Sequence, residues 1–301
     1  MVYLDEEAVR SRLRWDELID AMERALADFS SGAVIQPVRT ILTIEERRRY
    51  LGVMPAVAGD VMGVKFVSFY PVNAGTERHT HNATIVLYET DTGLPLAVMD
   101  GRLITEMRTA AVSAAATRRL APKECRVLAL LGSGVQARAH LHALGRVRTF
   151  SEVRVWSRTA EHAERFAREH GVTAVDRPES AVRGADVVVT ATAAREPILE
   201  GSWLKPGAHV NAVGSSRPDW RELDDEAMAN VVVVDSREAA AAEAGDVLIA
   251  KAPIYAEIGE ILAGVKTVSP SATTVFKSLG LAVEDIAAAK LVAQAASPED
   301  Q

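Results

Sequence analysis

A glycine-rich turn lies where this chain could hold a dinucleotide. The segment GSGVQA at 132–137 follows the apolar run VLALL directly and precedes a stretch with helical spacing. In a strand–turn–helix context, Gly132 permits a tight turn, Gly134 lets the backbone approach a pyrophosphate, and Ala137 allows close helix–strand packing. The N–H groups of the helix N-terminus favour phosphate. A glycine-rich turn of another α/β fold would look the same. The expected cofactor contacts in this turn are Gly132, Gly134, Val135 and Gln136.

The end of the next apolar run favours one dinucleotide over another. NAD sites usually place Asp or Glu about 20 residues after the glycines, where it binds the ribose 2′-hydroxyl. This chain has Ser157, Arg158 and Thr159 at that place and no acid. Arg158 could bind a 2′-phosphate by charge-assisted hydrogen bonds, and the two hydroxyls could donate to it. The prediction is NADP(H), with NAD(H) possible; the alternative is a solvated loop arginine.

Three cations interrupt apolar segments of the N-terminal part. Lys65 lies inside VMGVKFVSFY, Arg39 follows Pro37 and Val38, and Arg108 lies near the start of an alanine-rich helix. A buried ammonium is costly without a partner. The three side chains could form a pocket for a small carboxylate. They could equally be three independent side chains, each with its own salt bridge.

Composition and charge exclude several classes of protein. Of 301 residues, 48% are hydrophobic and 25% charged, which is typical of a globular chain. The formal net charge of −7 disfavours nucleic acid and anionic membranes as partners. Cys125 is the single cysteine, the histidines show no metal-ligand spacing, and the acidic start is unlike a signal peptide. We expect a cytoplasmic protein without a metal.

The chain between about 126 and 235 has the pattern of a doubly wound sheet. Its apolar, β-branched runs lack alternation, which suits strands buried on both faces, and helical stretches separate them. The predicted strands are 127–131, 153–156, 172–175, 186–192, 209–213 and 230–235, and the predicted helices are 135–144, 159–169 and 178–183.

The two ends of the chain predict a second, α+β domain. A helix containing Leu18, Met22 and Leu26 precedes extended stretches at 38–44, 61–70, 83–89 and 94–100. An alanine-rich helix over 105–120 leads into the middle segment, and 273–296 is predicted to be helical. We therefore expect a substrate-binding and dimerisation domain formed by 1–120 together with 272–301, and a Rossmann domain formed by 121–271.

These residues together resemble the ornithine cyclodeaminase/mu-crystallin family, and most of all its ketimine reductase branch. The similarity covers nearly the whole chain. It includes GVKFVSFYP (63–71), AVMDG (97–101), RTAAVSA (108–114), LGSGVQA (131–137), VWSRT (155–159), EPILEG (196–201), KPGAHVNAVGSSRPDWRELDDE (205–226) and TTVFKSLGLAVED (273–285).

The resemblance implies a homodimer with the reaction in a cleft between its two domains. It implies that Arg39, Lys65 and Arg108 hold a substrate carboxylate. Further expected substrate-side residues are His81, Ser216 and Glu243, although Glu243 could be a solvated helix charge. Further expected cofactor contacts are Thr109, Thr192, Val213, Gly214 and Ser278, beside the residues of the two turns above.

Two departures from the cyclodeaminase pattern bear on the reaction. Cyclodeaminases carry an aspartate where this chain has Ser216 and a glutamate where it has Gly52. Both carboxylates would serve amine deprotonation or water activation, so their loss favours reduction of a ready-made imine. The predicted reaction is NADPH-dependent reduction of cyclic 2-imino carboxylates such as Δ1-pyrroline-2-carboxylate or Δ1-piperideine-2-carboxylate. The substrate would react as its iminium or take a proton from Lys65 or His81.

Two other functions stay open at this point. One is an amino-acid dehydrogenase or cyclodeaminase acting on alanine, ornithine or lysine. The other is a crystallin-type protein that binds NADPH and a small ligand without turnover. Retention of Arg39, Lys65 and Arg108 beside an intact cofactor turn favours catalysis.

Overall fold

The computed structural model describes residues 1–46, 48–73 and 75–295. They form two compact units. The N-terminal unit comprises Met1–Arg108 and the chain from Gly280 onward, and the Rossmann unit comprises Thr109–Leu279. Among the helices of the described residues, none combines the length and apolar character that crossing a membrane requires.

The N-terminal unit is a mixed sheet covered by helices. The strand order is β1-β7-β6-β5-β4-β2, with β3 paired to β4; β1 runs parallel to β7 and the other pairs are antiparallel. Helices α2 and α11 pack on each other, and α11 also packs on β4 and β5. The elements are β1 Val2–Leu4, α1 Glu6–Arg12, α2 Trp15–Ser30, β2 Val34–Ile35, β3 Thr40–Glu45, β4 Arg49–Ala58, β5 Val61–Phe69, β6 His81–Glu89, β7 Pro95–Asp100 and α11 Ala282–Gln294.

Strand β4 is a central strand that the sequence analysis missed. Gly52 and Pro55 both disfavour a central strand by type. Pro55 is tolerated because β3 pairs with β4 up to Val53 and β2 pairs with it only from Val57, so no neighbour needs an N–H from residue 55 on that side. The alternating burial of β4 becomes visible only once these partners are known.

The Rossmann unit is a parallel sheet of eight described strands in the order β10-β9-β8-β11-β12-β15-β13-β14. The chain leaves β8 in one direction toward β9 and returns to its other side as β11, which creates the crevice at the carboxyl ends where dinucleotides bind in such sheets. The elements are β8 Val127–Leu131, α4 Val135–Leu144, β9 Glu152–Trp156, α5 Ala160–His170, β10 Thr173–Ala174, α6 Pro178–Val182, β11 Val187–Thr190, β12 His209–Ala212, α7 Asp225–Met228, β13 Val231–Val234, α8 Arg237–Glu243, α9 Gly245–Ala250, β14 Ile254–Glu257, α10 Ile258–Leu262 and β15 Thr274–Lys277.

The C-terminal segment corrects one expectation. A helix was predicted over 273–296, but Thr274–Lys277 is a fully buried strand between β12 and β13, and α11 begins only at Ala282. Gly280, with a φ of 82°, separates the strand from the helix. Thr274, Val275 and Phe276 suit a strand buried on both faces, and apolar spacing alone does not distinguish such a strand from a helix. Residue 296 lies outside the described residues.

The boundaries of the two units differ from those that the sequence favoured. The joins fall after Arg108 and after Leu279 rather than after 120 and 271. Helix α3, Arg102–Leu120, supplies the reason: beyond residue 108 it contacts Rossmann residues, such as His140 through Ser113 (2.9 Å) and Asn211 through Thr117 (2.9 Å). Strand β15 joins the sheet of the same unit for its whole length.

Candidate functional site

The N-terminal unit contains a buried cluster of cations and carboxylates. Lys65, on β5, is 1% exposed, and its ammonium lies 2.5 Å from Oδ2 of Asp285. Arg108, on α3, donates from Nε to the other oxygen of Asp285 (2.9 Å) and from Nη1 to Oε2 of Glu284 (2.6 Å). The two carboxylates lie in the first turn of α11 and are fully buried. One carboxylate therefore orients two cations that are distant in sequence.

Arg39 belongs to the same cluster. Its Nη2 donates to the carbonyl oxygen of Gly280 (3.1 Å), two residues before α11. Gly280 has φ +82°, and a Cβ there would lie 2.5 Å from Nη1 of Arg108. A side chain at residue 280 would thus displace the guanidinium. The structure brings together the three cations that the sequence analysis singled out.

The electrostatics of the cluster favour an anion. Among Arg39, Lys65, Arg108, Glu284 and Asp285, the cations outnumber the carboxylates by one. Burial lowers the pKa of Lys65 from 10.5 to about 8; the Asp285 carboxylate opposes this shift, and the charges of Arg108 and Arg39 add to it. A carboxylate bound beside these cations would relieve the repulsion between them.

Sequence reasoning missed Glu284 and Asp285, the partners of Lys65 and Arg108. A signal was present: two adjacent acids stand in the otherwise largely apolar stretch LAVEDIAAA, where a buried charge requires a partner.

His81 begins β6 and stacks on Phe69, with ring centroids 4.4 Å apart. Its Nδ1 lies 3.2 Å from the Thr80 hydroxyl. Partial desolvation and then the charge of Lys65 lower the pKa of His81 to about 4. The imidazole is therefore mainly neutral at pH 7, which makes it a weaker proton source than the Lys65 ammonium.

Within the described residues, no group of three or more His, Cys, Asp or Glu could hold a metal ion.

The glycine-rich turn of the Rossmann unit contains two glycines, and a different physical reason accounts for each of them. Gly132 has φ +119°, and a Cβ there would lie 2.6 Å from the Ala191 carbonyl oxygen, so the fold itself requires glycine. Gly134, the N-cap of α4, has an ordinary φ of −86°, and a Cβ there would meet no protein atom within 4 Å. Packing does not explain this second glycine, whereas an approaching pyrophosphate would.

Two further side chains fit a dinucleotide. Oε1 of Gln136, in the first turn of α4, is buried without a hydrogen-bond partner in the part of the chain that the structure describes. Arg158 follows β9 and is exposed; within the described ranges it makes no ion pair or hydrogen bond. Thr159 is the N-cap of α5, and Ser157 is half-buried. The turn, the helix N-terminus and Arg158 together fit a phosphorylated dinucleotide.

The other predicted site residues are distributed around the Rossmann unit. Thr192, Val213 and Ser278 follow the carboxyl ends of β11, β12 and β15, as does Gly214. The Ser278 hydroxyl lies 3.4 Å from Oδ2 of Asp235. Ser216 is exposed, and Glu243 is the half-buried last residue of α8. Thr109 is a half-buried residue of α3.

Glu222 is a second functional candidate that sequence reasoning did not single out. It is fully buried, and its carboxylate accepts hydrogen bonds from Thr190, Thr192 and Gly214. Desolvation raises its pKa, and Lys277 opposes that shift most. The only signal in the sequence was an acid within the motif WRELDDE, which also contains four other charged residues.

A side chain at residue 52 would crowd the side chains of two neighbouring strands. A Cβ at residue 52 would lie 2.9 Å from Cγ1 of Val67 and 3.3 Å from Cδ1 of Ile41. Strands β3 and β5 pair with β4 at residue 52, where the lack of a side chain lets their side chains approach closely. Together with Ser216, this removes both carboxylates that the cyclodeaminase pattern would supply.

Comparison with known proteins agrees with this geometry. The model of the ornithine cyclodeaminase/mu-crystallin family matches residues 1–300. The ketimine reductase mu-crystallin of Mus musculus is 51% identical over 299 residues, which cover 96% of each chain. The solved structure of Thermococcus litoralis Δ(1)-pyrroline-2-carboxylate reductase in complex with NADH and L-proline superposes with a TM-score of 0.93 at 35% identity, covering 98% of this chain and 97% of that one.

An archaeal alanine dehydrogenase dimer with bound NAD is also similar, with a TM-score of 0.91 at 34% identity, covering 98% of this chain and 95% of that one. These similarities extend over both units, and the fold is the α/β, Rossmann-type architecture that the sequence predicted. The chain belongs to the ornithine cyclodeaminase/mu-crystallin family.

Proposed function

We propose that this chain is an NADPH-dependent reductase of cyclic 2-imino carboxylates, such as Δ1-pyrroline-2-carboxylate and Δ1-piperideine-2-carboxylate, which it converts to proline and pipecolate. The observation that carries the proposal is the cluster in which the buried Lys65 and Arg108 share the carboxylate of Asp285, with the half-buried Arg39 beside them at Gly280. Relatives named ketimine reductase and Δ(1)-pyrroline-2-carboxylate reductase support it. The chain is an oxidoreductase that acts on C=N bonds.

The cation cluster orients the substrate through its carboxylate. Arg108 is held by two hydrogen bonds to α11, and Lys65 by one ion pair, so their positions are set before a substrate arrives. A guanidinium offers parallel N–H groups to a carboxylate, and an ammonium supplies a point charge. A carboxylate fixed at several points presents its neighbouring C=N carbon in one orientation, which lowers the entropic cost of reaction.

Lys65 is the better of the two expected proton donors. The reduction adds a hydride to the imine carbon, and the nitrogen must carry a proton to end as a secondary amine. The pKa of Lys65 is about 8, so at pH 7 it is mainly protonated and yet a stronger acid than an ordinary lysine. The pKa of His81 is about 4, so its ring holds little proton at that pH. Asp285 would keep the ammonium in place.

The cofactor is a nicotinamide dinucleotide, which supplies the hydride when bound. Gly132, Gly134 and the N-terminus of α4 would hold its pyrophosphate, and Gln136 offers a buried acceptor beside them. The preference for NADPH rests on Arg158, with Ser157 and Thr159 as further donors to a 2′-phosphate. The two similar solved structures described above contain NADH and NAD, so the proposed preference rests on the residues of this chain alone.

We also propose that the protein is a homodimer through the edge of its N-terminal sheet. Strand β3 exposes Ile41, Leu42 and Ile44 by 43%, 51% and 58%, although its residues are strongly apolar. Exposed apolar patches of this kind mark interfaces. A similar archaeal alanine dehydrogenase is a dimer. Light scattering should give twice the chain mass, and Ile44→Arg should shift the population toward monomer; a monomeric parent would contradict the proposal.

Steady-state turnover tests the proposed function directly. NADPH oxidation is followed at 340 nm with each of the two cyclic imines. As rival substrates, 2-keto acids are tested in the presence of ammonia or of alanine as the amine. We expect turnover on a cyclic imine, and its loss in Lys65→Met. Lys290→Met is the matched control, since Lys290 pairs with Asp60 at the surface. Faster turnover of a keto acid with ammonia would favour an amino-acid dehydrogenase, and NADPH binding without any turnover would favour a binding protein.

A further inference from the structure

The carboxylate of Glu222 connects two loops of the Rossmann sheet. Its Oε1 accepts hydrogen bonds from the N–H and the hydroxyl of Thr192 (2.8 and 2.7 Å), which lies in the loop after β11. Its Oε2 accepts from the N–H of Gly214 (2.9 Å), in the loop after β12, and from the hydroxyl of Thr190 (2.7 Å). Four hydrogen bonds thus join the ends of two neighbouring parallel strands through one buried side chain.

Glu222 is itself held rigidly. The N–H groups of Glu222 and Leu223 donate to Oδ1 of Asp246 (2.7 and 3.0 Å). The other oxygen of Asp246 lies 2.9 Å from the ammonium of Lys277, and both side chains are fully buried. The carbonyl oxygen of Glu222 accepts from the N–H of Ile198 (2.8 Å). We call Glu222, Asp246 and Lys277 the buried carboxylate network.

Glu222 and Thr192 leave no space for a side chain at Gly214. A Cβ at residue 214 would lie 2.3 Å from Oε1 of Glu222 and 2.3 Å from the carbonyl oxygen of Thr192. The glycine is therefore needed for contact with Glu222 and Thr192, unlike Gly134, which packing does not explain. The two loops are tied at an edge of the sheet formed by the carboxyl ends of β11 and β12, the side on which dinucleotides bind in doubly wound folds.

We propose that Glu222 is a positioning residue that fixes the loops containing Thr192 and Gly214 so that they hold the nicotinamide half of the cofactor in one orientation. This inference rests on the proposed nicotinamide-dependent function. Glu222 is fully buried and acts through its partners. Two of its hydrogen bonds come from backbone N–H groups, which can only donate, so each oxygen must remain an acceptor. Lys277 and Asp246 secure the position of the carboxylate within the network.

Glu222→Gln is the sharpest test, because it keeps the shape and replaces one acceptor oxygen by an amide that can only donate. Whichever way the amide turns, it faces a backbone N–H. The matched control is Asp186→Asn: Asp186 is also buried and accepts from two backbone N–H groups, those of Arg126 (2.7 Å) and Val127 (2.9 Å), but it lies at the opposite, amino-terminal edge of the same sheet. Both variants should lower the melting temperature.

The readout separates positioning from folding. We expect Glu222→Gln to lower kcat at saturating imine and NADPH by roughly tenfold to a hundredfold, as a misplacement of about 1 Å does, and to raise the primary isotope effect measured with NADPH deuterated at C4. The affinity for NADPH relative to 2′-phospho-ADP-ribose, which lacks the nicotinamide, should fall as well. Asp186→Asn should keep kcat and this affinity ratio.

Each outcome decides the inference. If Glu222→Gln loses stability as Asp186→Asn does but keeps kcat and the affinity ratio within about twofold, well below the effect of a misplaced reacting group, Glu222 is only structural and the proposal is wrong. If the parent reduces no cyclic imine, the proposed function fails, while the affinity ratio still tests Glu222. If Glu222→Gln does not fold, Thr190→Val removes a single hydrogen bond to Oε2, and an unchanged ratio there would overturn the proposal.

Discussion

The ammonium of Lys65 lies 2.5 Å from Oδ2 of Asp285, and both side chains are buried. The second oxygen of the same carboxylate binds Nε of Arg108. Asp285 therefore sets the relative position of the two cations that we assign to the substrate carboxylate, and it also keeps Lys65 charged against the cost of burial. Predictions about charge, geometry and pH follow from this arrangement.

Asp285→Asn should impair both folding and substrate binding. Breaking a buried ion pair by removing one partner costs about 3–5 kcal/mol of stability. Because Asp285 raises the pKa of Lys65, its loss should move the alkaline limb of kcat/KM to a pH below about 8. Glu284→Gln is the control, because Glu284 pairs with Arg108 (2.6 Å), whereas Asp285 pairs with Lys65 as well as with Arg108. An unmoved limb in Asp285→Asn would contradict the assigned role.

Arg108→Lys should retain the charge and lose the geometry. A lysine cannot reproduce two hydrogen bonds to α11 and a parallel pair to a substrate carboxylate. The loss of one charge-assisted hydrogen bond, about 1.5–3 kcal/mol, corresponds to a roughly tenfold to hundredfold fall in kcat/KM. Arg102→Lys, on the same helix and paired with Glu6, should leave kcat/KM intact. A destabilised Arg108→Lys with the kcat/KM of the parent per folded molecule would show that Arg108 only supports the fold.

Activity should fall as the pH rises through about 8. In that range Lys65 loses its proton, so the cluster loses one positive charge and its proton donor. Considered alone, the titration of Lys65 makes the free energy of unfolding rise with pH between about 8 and 10.5. The reason is that the unfolded chain binds more protons than the native one in this range. Unfolding driven by this group therefore does not explain the loss.

Lys65→Arg tests whether the loss of activity near pH 8 comes from titration of Lys65 or of the substrate imine. Arginine does not titrate in this range, so the limb near pH 8 should disappear, with kcat reduced because a guanidinium is a poor acid. Parallel melting curves would exclude unfolding. A limb that persists unchanged in Lys65→Arg would assign the titration to the imine.

Arg158→Ala should lower kcat/KM with NADPH by roughly tenfold to a hundredfold and change it little with NADH. The reason is the loss of a charge-assisted hydrogen bond to the 2′-phosphate, about 1.5–3 kcal/mol. Arg165→Ala, a change of exposed charge on α5, provides the control. Equal kcat/KM values for the two cofactors in the parent would defeat the prediction.

Ornithine should not be converted to proline with release of ammonia. Ser216 replaces one carboxylate of the cyclodeaminase pattern, and Gly52 replaces the other. An NMR time course with enzyme, NAD⁺ and ornithine should show no proline, whereas Δ1-pyrroline-2-carboxylate with NADPH should yield it. Accumulating proline in the first sample would place the chain among the cyclodeaminases.

Local sequence patterns were sufficient for the strand and helix on either side of the glycine-rich turn. The runs at 127–131 and 135–144 coincide with β8 and α4 because the apolar strand, the turn glycine and the helical spacing all agree over a few residues. They were not sufficient where a strand depends on its neighbours. Strand β4 contains Gly52 and Pro55, and β15 has apolar spacing that also suits a helix; in both, the sheet partners determine the conformation.

The same division holds for the site. The sequence by itself singled out Arg39, Lys65 and Arg108 as candidates, because a cation in an apolar segment is costly, but it left open whether they share a pocket. It did not identify Glu284 and Asp285, which are about 180–220 residues from Lys65 and Arg108, nor the loops that Glu222 joins. The residue type alone shows that a buried charge needs a partner. Which partner it meets depends on packing between distant segments, and only the tertiary structure decides that.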